Sequence, residues 1–192
     1  MLDALIFLVQ TLADLFLLTF LLRFIMQWVR ANHYNPLSQV VFKVTNPLVV
    51  PARRVLPSVA GLDAPTFVVL FVLEIIVTFV LLRVAALSPT AIGVFAASSL
   101  NVVDVLFYSV LRLISLTLLL YIGATFIYVL LSWFGDRGRN PMAALLGDVV
   151  EPVLRPVRRV LPPVSGLDIA PLIVTVVLYA IRMALPLPYF LR

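Results

Sequence analysis

Four stretches of this sequence stay apolar for about twenty residues each: from about Ile6 to Trp28, from Thr66 to Leu87, from about Leu111 to Phe134, and from Leu172 to Phe190. A helix needs roughly 20 such residues to cross about 30 Å of hydrocarbon. Helices of a water-soluble bundle would carry a polar outer face at helical spacing, and none of these runs has one. Only 12% of the chain is charged against 63% hydrophobic, too few charges to cover a surface that meets water everywhere. The expectation is an all-α integral membrane protein with four transmembrane helices. The opening MLDALIFLVQTLADLF carries Asp3 where a secretory signal has basic residues, so the first run is expected to remain as a span.

What lies between the spans is organised by an internal repeat. Adding 105 to a position in the first half reaches its equivalent in the second without a gap. Asn35-Pro36 becomes Asn140-Pro141, Pro47 becomes Pro152, and Trp28 becomes Trp133. Pro51-Ala-Arg53-Arg54-Val-Leu-Pro57 becomes Pro156-Val-Arg158-Arg159-Val-Leu-Pro162, and Gly61-Leu62-Asp63 becomes Gly166-Leu167-Asp168. From Asn35 to Asp63, fourteen of twenty-nine positions are identical, which chance does not give. Residues 1–88 form the first repeat with a motif loop at 30–65, residues 89–104 a linker, and residues 105–192 the second repeat with a motif loop at 135–171.

Two spans per unit force both copies to insert the same way round, as a parallel repeat rather than an inverted one. Nine of the fourteen basic residues sit in or beside the two motif loops, and the linker from Ser88 to Asn101 has none. That bias places both loops in the cytoplasm and the termini and linker outside, with Trp28 and Trp133 at the cytoplasmic interface. The same distribution argues against nucleic acid as the reason for a net charge of +5.

Each loop reads as a helix lying in the interface plane, because apolar residues recur at helical spacing opposite polar ones. In the first loop Leu37, Val40, Val41, Val44, Leu48, Ala52 and Val55 oppose Gln39, Lys43, Asn46, Arg53 and Arg54. In the second, Met142, Leu145, Leu146, Val149, Val153, Val157 and Val160 oppose Asp148, Glu151, Arg155 and Arg158. Asn35-Pro36, Asn46-Pro47 and Asn140-Pro141 each look like a helix start, with Asn as cap and Pro in the first turn. Pro51 and Pro156 are expected to kink the helix or divide it. Gly61 and Gly166 are expected to turn the chain into the next span, which Asp63 and Asp168 then cap. The Arg pairs have three readings: orientation plus attraction to anionic headgroups, a docking face for a protein partner, or the lining of an anion path.

Much chemistry is excluded. Without cysteine, thiolate metal sites, disulfides and cysteine nucleophiles are ruled out. His33, the single histidine, cannot supply a zinc site and is expected as an exposed loop residue. No P-loop, dinucleotide-binding glycine pattern or nucleophile elbow is present. No catalytic residue, cofactor or metal is expected, and the chain is not expected to be an enzyme.

The duplicated pattern N-P…P-x-x-x-P-x-R-R-V-L-P-x-v-x-G-L-D resembles the YggT family of bacterial inner-membrane proteins, related to the YlmG proteins of Gram-positive bacteria and plastids. In the first copy the resemblance covers Asn35, Pro36, Pro47, Pro51, Arg53, Arg54, Pro57, Gly61 and Asp63. In the second it covers Asn140, Pro141, Pro152, Pro156, Arg158, Arg159, Pro162, Gly166 and Asp168. Glu151 departs from Asn46 of the first copy. The resemblance implies a multi-pass inner-membrane protein linked to osmotic-stress tolerance and potassium homeostasis, with relatives linked to cell division and cytochrome maturation. It implies no catalytic residue.

Three ionisable residues, Asp14, Glu74 and Arg182, fall at membrane depth with no easy route to an interface, where such groups are costly and point to function. Arg23, Arg83 and Arg112 are expected to snorkel outward. The repeat places Leu119, Tyr179 and Val77 opposite Asp14, Glu74 and Arg182, so these charges break its symmetry. Arg182 is expected to pair with Glu74. Two functions compete: a small channel or transporter subunit for an ion, or a scaffold recruiting division or membrane-complex proteins through its cytoplasmic loops. Four helices leave no wide pore, so conduction calls for a homo-oligomer, and the other expected partners are the lipid bilayer and a membrane protein.

Overall fold

The computed structural model describes residues 2–57, 63–85, 101–134, 140–161, 168–188 and 191. Six helices follow in order: α1 (Leu2–Trp28), α2 (Pro36–Val55), α3 (Ala64–Ala85), α4 (Val102–Phe134), α5 (Pro141–Val160) and α6 (Ala170–Ala184). Gly61, Pro162, Gly166, Arg137, Arg139, the side chain of Trp133 and the linker up to residue 100 lie outside the described residues.

Helices α1, α3 and α4 are long and apolar enough to cross a membrane. Helix α4 starts at Val102, well before the Leu111 expected from hydropathy, so residues 102–104 are helix and not linker. Helix α6 has 15 residues and stops at Ala184, short of the expected end at Phe190. Proline explains the stop: its ring disfavours helical backbone in the preceding residue, and Leu185, before Pro186, is extended at φ −64°, ψ 133°. At about 1.5 Å per residue α6 is about 22 Å long, less than the hydrocarbon thickness. Leu187 and Leu191 are buried with Leu81, Leu82 and Val105 at the far ends of α3 and α4.

Within each repeat the long first helix packs against the other two, α1 on α2 and α3, and α4 on α5 and α6. The repeats meet through α3 with α4, α1 with α4, and α2 with α5. One core cluster holds them together, with Leu17, Phe20 and Met26 of α1, Leu70 of α3, Leu116 of α4, and Val149 and Leu154 of α5. Buried Ser109 is satisfied inside its own helix, its hydroxyl donating to the Val105 carbonyl four residues back at 2.7 Å.

Asn35 and Asn140 cap α2 and α5 as expected, accepting from the Leu37 N–H at 3.0 Å and the Met142 N–H at 2.9 Å. The Asn35 amide also donates to the Pro141 carbonyl at 2.6 Å, tying the start of α2 to that of α5. Asn46-Pro47 is not a helix start. Helix α2 runs unbroken through Pro47 and Pro51, and α5 through Pro152 and Pro156, so neither is divided. All four prolines are exposed. Each proline removes one backbone donor, and here the loss falls on the face turned away from the core.

The apolar stripe on α2 is divided, with Leu37 and Val41 partly buried against the core and the rest of it mostly exposed. Ser38, Thr45 and Val49 are buried, while Val40, Val44, Leu48 and Val55 are exposed. On α5 the equivalents of Val40 and Val44, namely Leu145 and Val149, are buried. The copies share a sequence motif and a helix, but α5 is the more deeply packed.

Candidate functional site

Between α1, α3 and α4, well inside the bundle, three charged side chains meet. Arg112 reaches Glu74 Oε1 with Nη1 at 2.9 Å and pairs through Nη2 with Asp14 Oδ1. The Thr78 hydroxyl donates to the same Glu74 oxygen at 3.0 Å. The Arg112 side chain is 2% exposed, Glu74 0% and Asp14 21%. Glu74 Oε2 is buried and, among the described residues, accepts no hydrogen bond. One guanidinium thus serves two carboxylates through separate arms, which its rigid planar fork suits and an ammonium would not.

The structure therefore brings Asp14 and Glu74 together, but around Arg112 and not Arg182. Snorkelling of Arg112 assumed a span starting at Leu111. With ten residues of α4 before it, Arg112 lies about 15 Å inside the helix and turns to the carboxylates. Arg182 stands nearby, its Nε donating to Ser115 Oγ of α4 at 3.1 Å, and its charge acts on Asp14. The sequence signal missed was the lone cation of α4 between two apolar runs.

Arg23 does not snorkel either. Only 1% exposed, it is covered by α2, donating to Thr45 Oγ1 at 2.6 Å and Asn46 Oδ1 at 2.9 Å. Arg83 is exposed over the Phe79 ring, and Trp28 and His33 are exposed.

The two Arg pairs are split in function. Arg53 bonds Asp63 at 2.8 Å, joining the end of α2 to the start of α3. Arg158 does the same with Asp168 at 2.8 Å and also takes Glu151 at 2.8 Å. The ten-residue Arg-to-Asp spacing occurs in both copies and could have been read as a pair. Burial alone would raise the Asp63 carboxyl, but hydrogen bonds from Arg53 and Thr66, with the Arg53 charge, hold it below its ordinary value. The Asp168 carboxylate also accepts the Ala170 N–H at 3.1 Å, from the position before Ile169, the N-cap residue of α6, which makes no side-chain cap bond. Asp63 stands just before α3, its carbonyl taking the Phe67 N–H at 3.1 Å and its side chain the Thr66 hydroxyl. Arg54 and Arg159 are exposed.

Long apolar helices, a duplicated helix-loop-helix unit and charges buried between the long helices define a membrane-type helical repeat protein. The family model described as CCB3/YggT matches residues 2–84 and 107–189, an offset of 105 between its two matches. The chain belongs to this family. It is 33% identical to the YggT protein of Escherichia coli (strain K12) over 181 residues, covering 94% of this chain and 88% of that one. It is 36% identical to protein PA0392 of Pseudomonas aeruginosa over 180 residues, covering 94% and 87%. No solved structure matches.

Proposed function

We propose that this chain is a non-enzymatic integral membrane protein of the bacterial inner membrane that handles an inorganic cation, as a small channel or transporter subunit in ion homeostasis. On the family resemblance, potassium and osmotic tolerance come first among the candidates. The observation that supports this reading is Glu74, wholly buried, with Oε2 open to a further partner. A buried acceptor left unused costs stability, and ionisable groups at such depth mark ion and proton pathways.

In this reading α1, α3, α4 and α6 are four crossings, the last completed by the proline-broken tail. Helices α2 and α5 lie in the cytoplasmic interface, with anionic headgroups around Arg54 and Arg159. A second copy of the chain supplies the rest of the path. Ion flux into liposomes holding purified protein tests it: wild type should conduct and Glu74→Gln should not. Equal flux from both, or none from either, rejects it.

A scaffold role is the second reading. It draws on the repeated exposed Arg-Val step, with Val55 80% and Val160 78% exposed beside Arg54 and Arg159. Charge reversal at Arg54 and Arg159 should then abolish crosslinking to one defined membrane partner. A crosslink pattern unchanged by reversal rejects it.

A further inference from the structure

The first repeat carries a cleft of about 690 Å³ at its loop end, a size typical of small-ligand pockets. Its walls include three guanidinium groups, Arg23, Arg30 and Arg53, with His33, against the single carboxylate of Asp63. Asp63 Oδ2 already accepts from Arg53 and Thr66, and among the described residues its buried Oδ1 has no hydrogen-bond partner. Arg23 is almost wholly buried, yet among the described residues it has no carboxylate in salt-bridge contact and its Nε has no hydrogen-bond partner. Burying a cation without a counter-ion is expensive. An anion in the cleft would offset that cost.

Arg30 adds a second, independent observation. It ends α1 in a Schellman turn, with the Arg30 N–H on the Gln27 carbonyl at 3.2 Å and the Ala31 N–H on the Met26 carbonyl at 2.8 Å. This turn places Arg30 at φ 55°, where glycine is the unstrained residue. The second repeat has glycine there, Gly135. The first repeat thus holds a strained arginine at the cleft wall, and such strain gathers at functional sites.

The second repeat acts as an internal comparison. Tyr128 stands at the place of Arg23, and Glu151 at the place of Asn46. His33 and Phe42 become Gly138 and Gly147, and Tyr128 fills the space over Gly147, where a Cβ would lie 3.4 Å from its ring. Of the three cleft arginines only Arg53 has a cationic equivalent, Arg158, and that is engaged by two carboxylates. One copy of the motif is charged and hollow. The other, at its described equivalent positions, has a tyrosine ring and an arginine held by two carboxylates.

We propose that the first-repeat cleft is a site for a phosphate group, bound by Arg23, Arg30 and Arg53, and that the second repeat has no counterpart. Planar guanidiniums match phosphate oxygens in pairs. The phosphate belongs either to a free anion or to the headgroup of an anionic lipid.

The test uses the full chain purified in detergent, with two probes: labelled inorganic phosphate, and phosphatidylglycerol measured against phosphatidylcholine by native mass spectrometry. Asn46→Glu copies the second repeat, keeps an acceptor for Arg23, and sits at an exposed position, so the fold should tolerate it. Arg30→Gly removes a cation while relieving backbone strain, so weaker binding cannot be put down to a damaged fold. Each variant should weaken binding about tenfold, the scale of one charge-assisted hydrogen bond. Glu151→Asn should leave binding unchanged. Saturable phosphate binding weakened to that extent in both variants identifies a free-anion site. Preference for phosphatidylglycerol weakened to that extent in both variants identifies a headgroup site. Failure of wild type to bind either probe, or equal binding by Asn46→Glu and wild type, overturns the proposal.

Discussion

Replacing Arg112 with Gln should be the most damaging single neutral substitution in the charge cluster. In the native bundle Arg112 serves Asp14 and Glu74 at once, and its own side chain is 2% exposed. Removing one partner of a buried pair costs about 3–5 kcal/mol, because the other charge is left uncompensated. Here two carboxylates are left. Glu74 carries the full penalty at 0% exposure, while Asp14, at 21%, carries a reduced one and retains the field of Arg182. The expected loss lies near the top of that range, about 4–5 kcal/mol. Equilibrium unfolding in bicelles, with wild type and variants under one lipid composition, measures it. The triple variant Asp14→Asn, Glu74→Gln, Arg112→Gln should recover most of the loss, because no unpaired charge remains. Arg182→Gln should cost clearly less than Arg112→Gln. If Arg112→Gln unfolds within about 1 kcal/mol of wild type, the cluster is not a coupled ion-pair network and the reasoning fails.

Asn35→Ala should cost about 2 kcal/mol, one for the lost cap and one for the bond to Pro141, while Asn140→Ala should lose only the cap, about 1 kcal/mol. Thermal midpoints of the two variants separate the inter-repeat bond from the cap. The Asp63 carboxyl is held below its ordinary value, so its stabilising contribution is present above the unfolded carboxylate value of about 3.9 and is lost as pH falls through the folded value. The stability gap between wild type and Asp63→Asn should therefore be flat from about pH 7 to 5 and close below about pH 4. A gap that closes above about pH 5 would show the opposite shift. Arg30→Gly should raise stability by about 1 kcal/mol through release of the left-handed backbone, and a lower thermal midpoint would contradict that origin.

Much of the fold was legible because membrane chains write it in large features. Apolar runs located α1, α3 and α4, the ungapped repeat located α2 and α5, and Asn before Pro located both caps. The rest turned on side-chain geometry that spacing does not encode. Depth counted from the loop end put Arg112 near an exit, but α4 continues ten residues past it, and reach decided the partner. Asn46-Pro47 carries the same dipeptide as a true start, yet its proline falls on an exposed face where a missing donor is tolerated, so the helix continues. Which face of α2 packs on the bundle was not legible in the stripe, because the core-facing positions hold Ser38 and Thr45, whose hydroxyls are satisfied by the Asn32 and Val41 carbonyls. Apolar periodicity alone could not separate a face turned to lipid from one turned to protein.

The proposed function requires a parallel repeat in which α6 crosses the membrane despite its length. The sequence holds no cysteine, so single reporters are unambiguous. Cysteines introduced singly at Val55, Val160, Val103 and Ala184, all exposed positions, can be labelled in intact cells with an impermeant maleimide. Val55 and Val160 should be protected until the membrane is opened, and Val103 and Ala184 should react from outside. Labelling of Val55 and Val160 from opposite sides, or protection of Ala184 alongside them, would contradict the account.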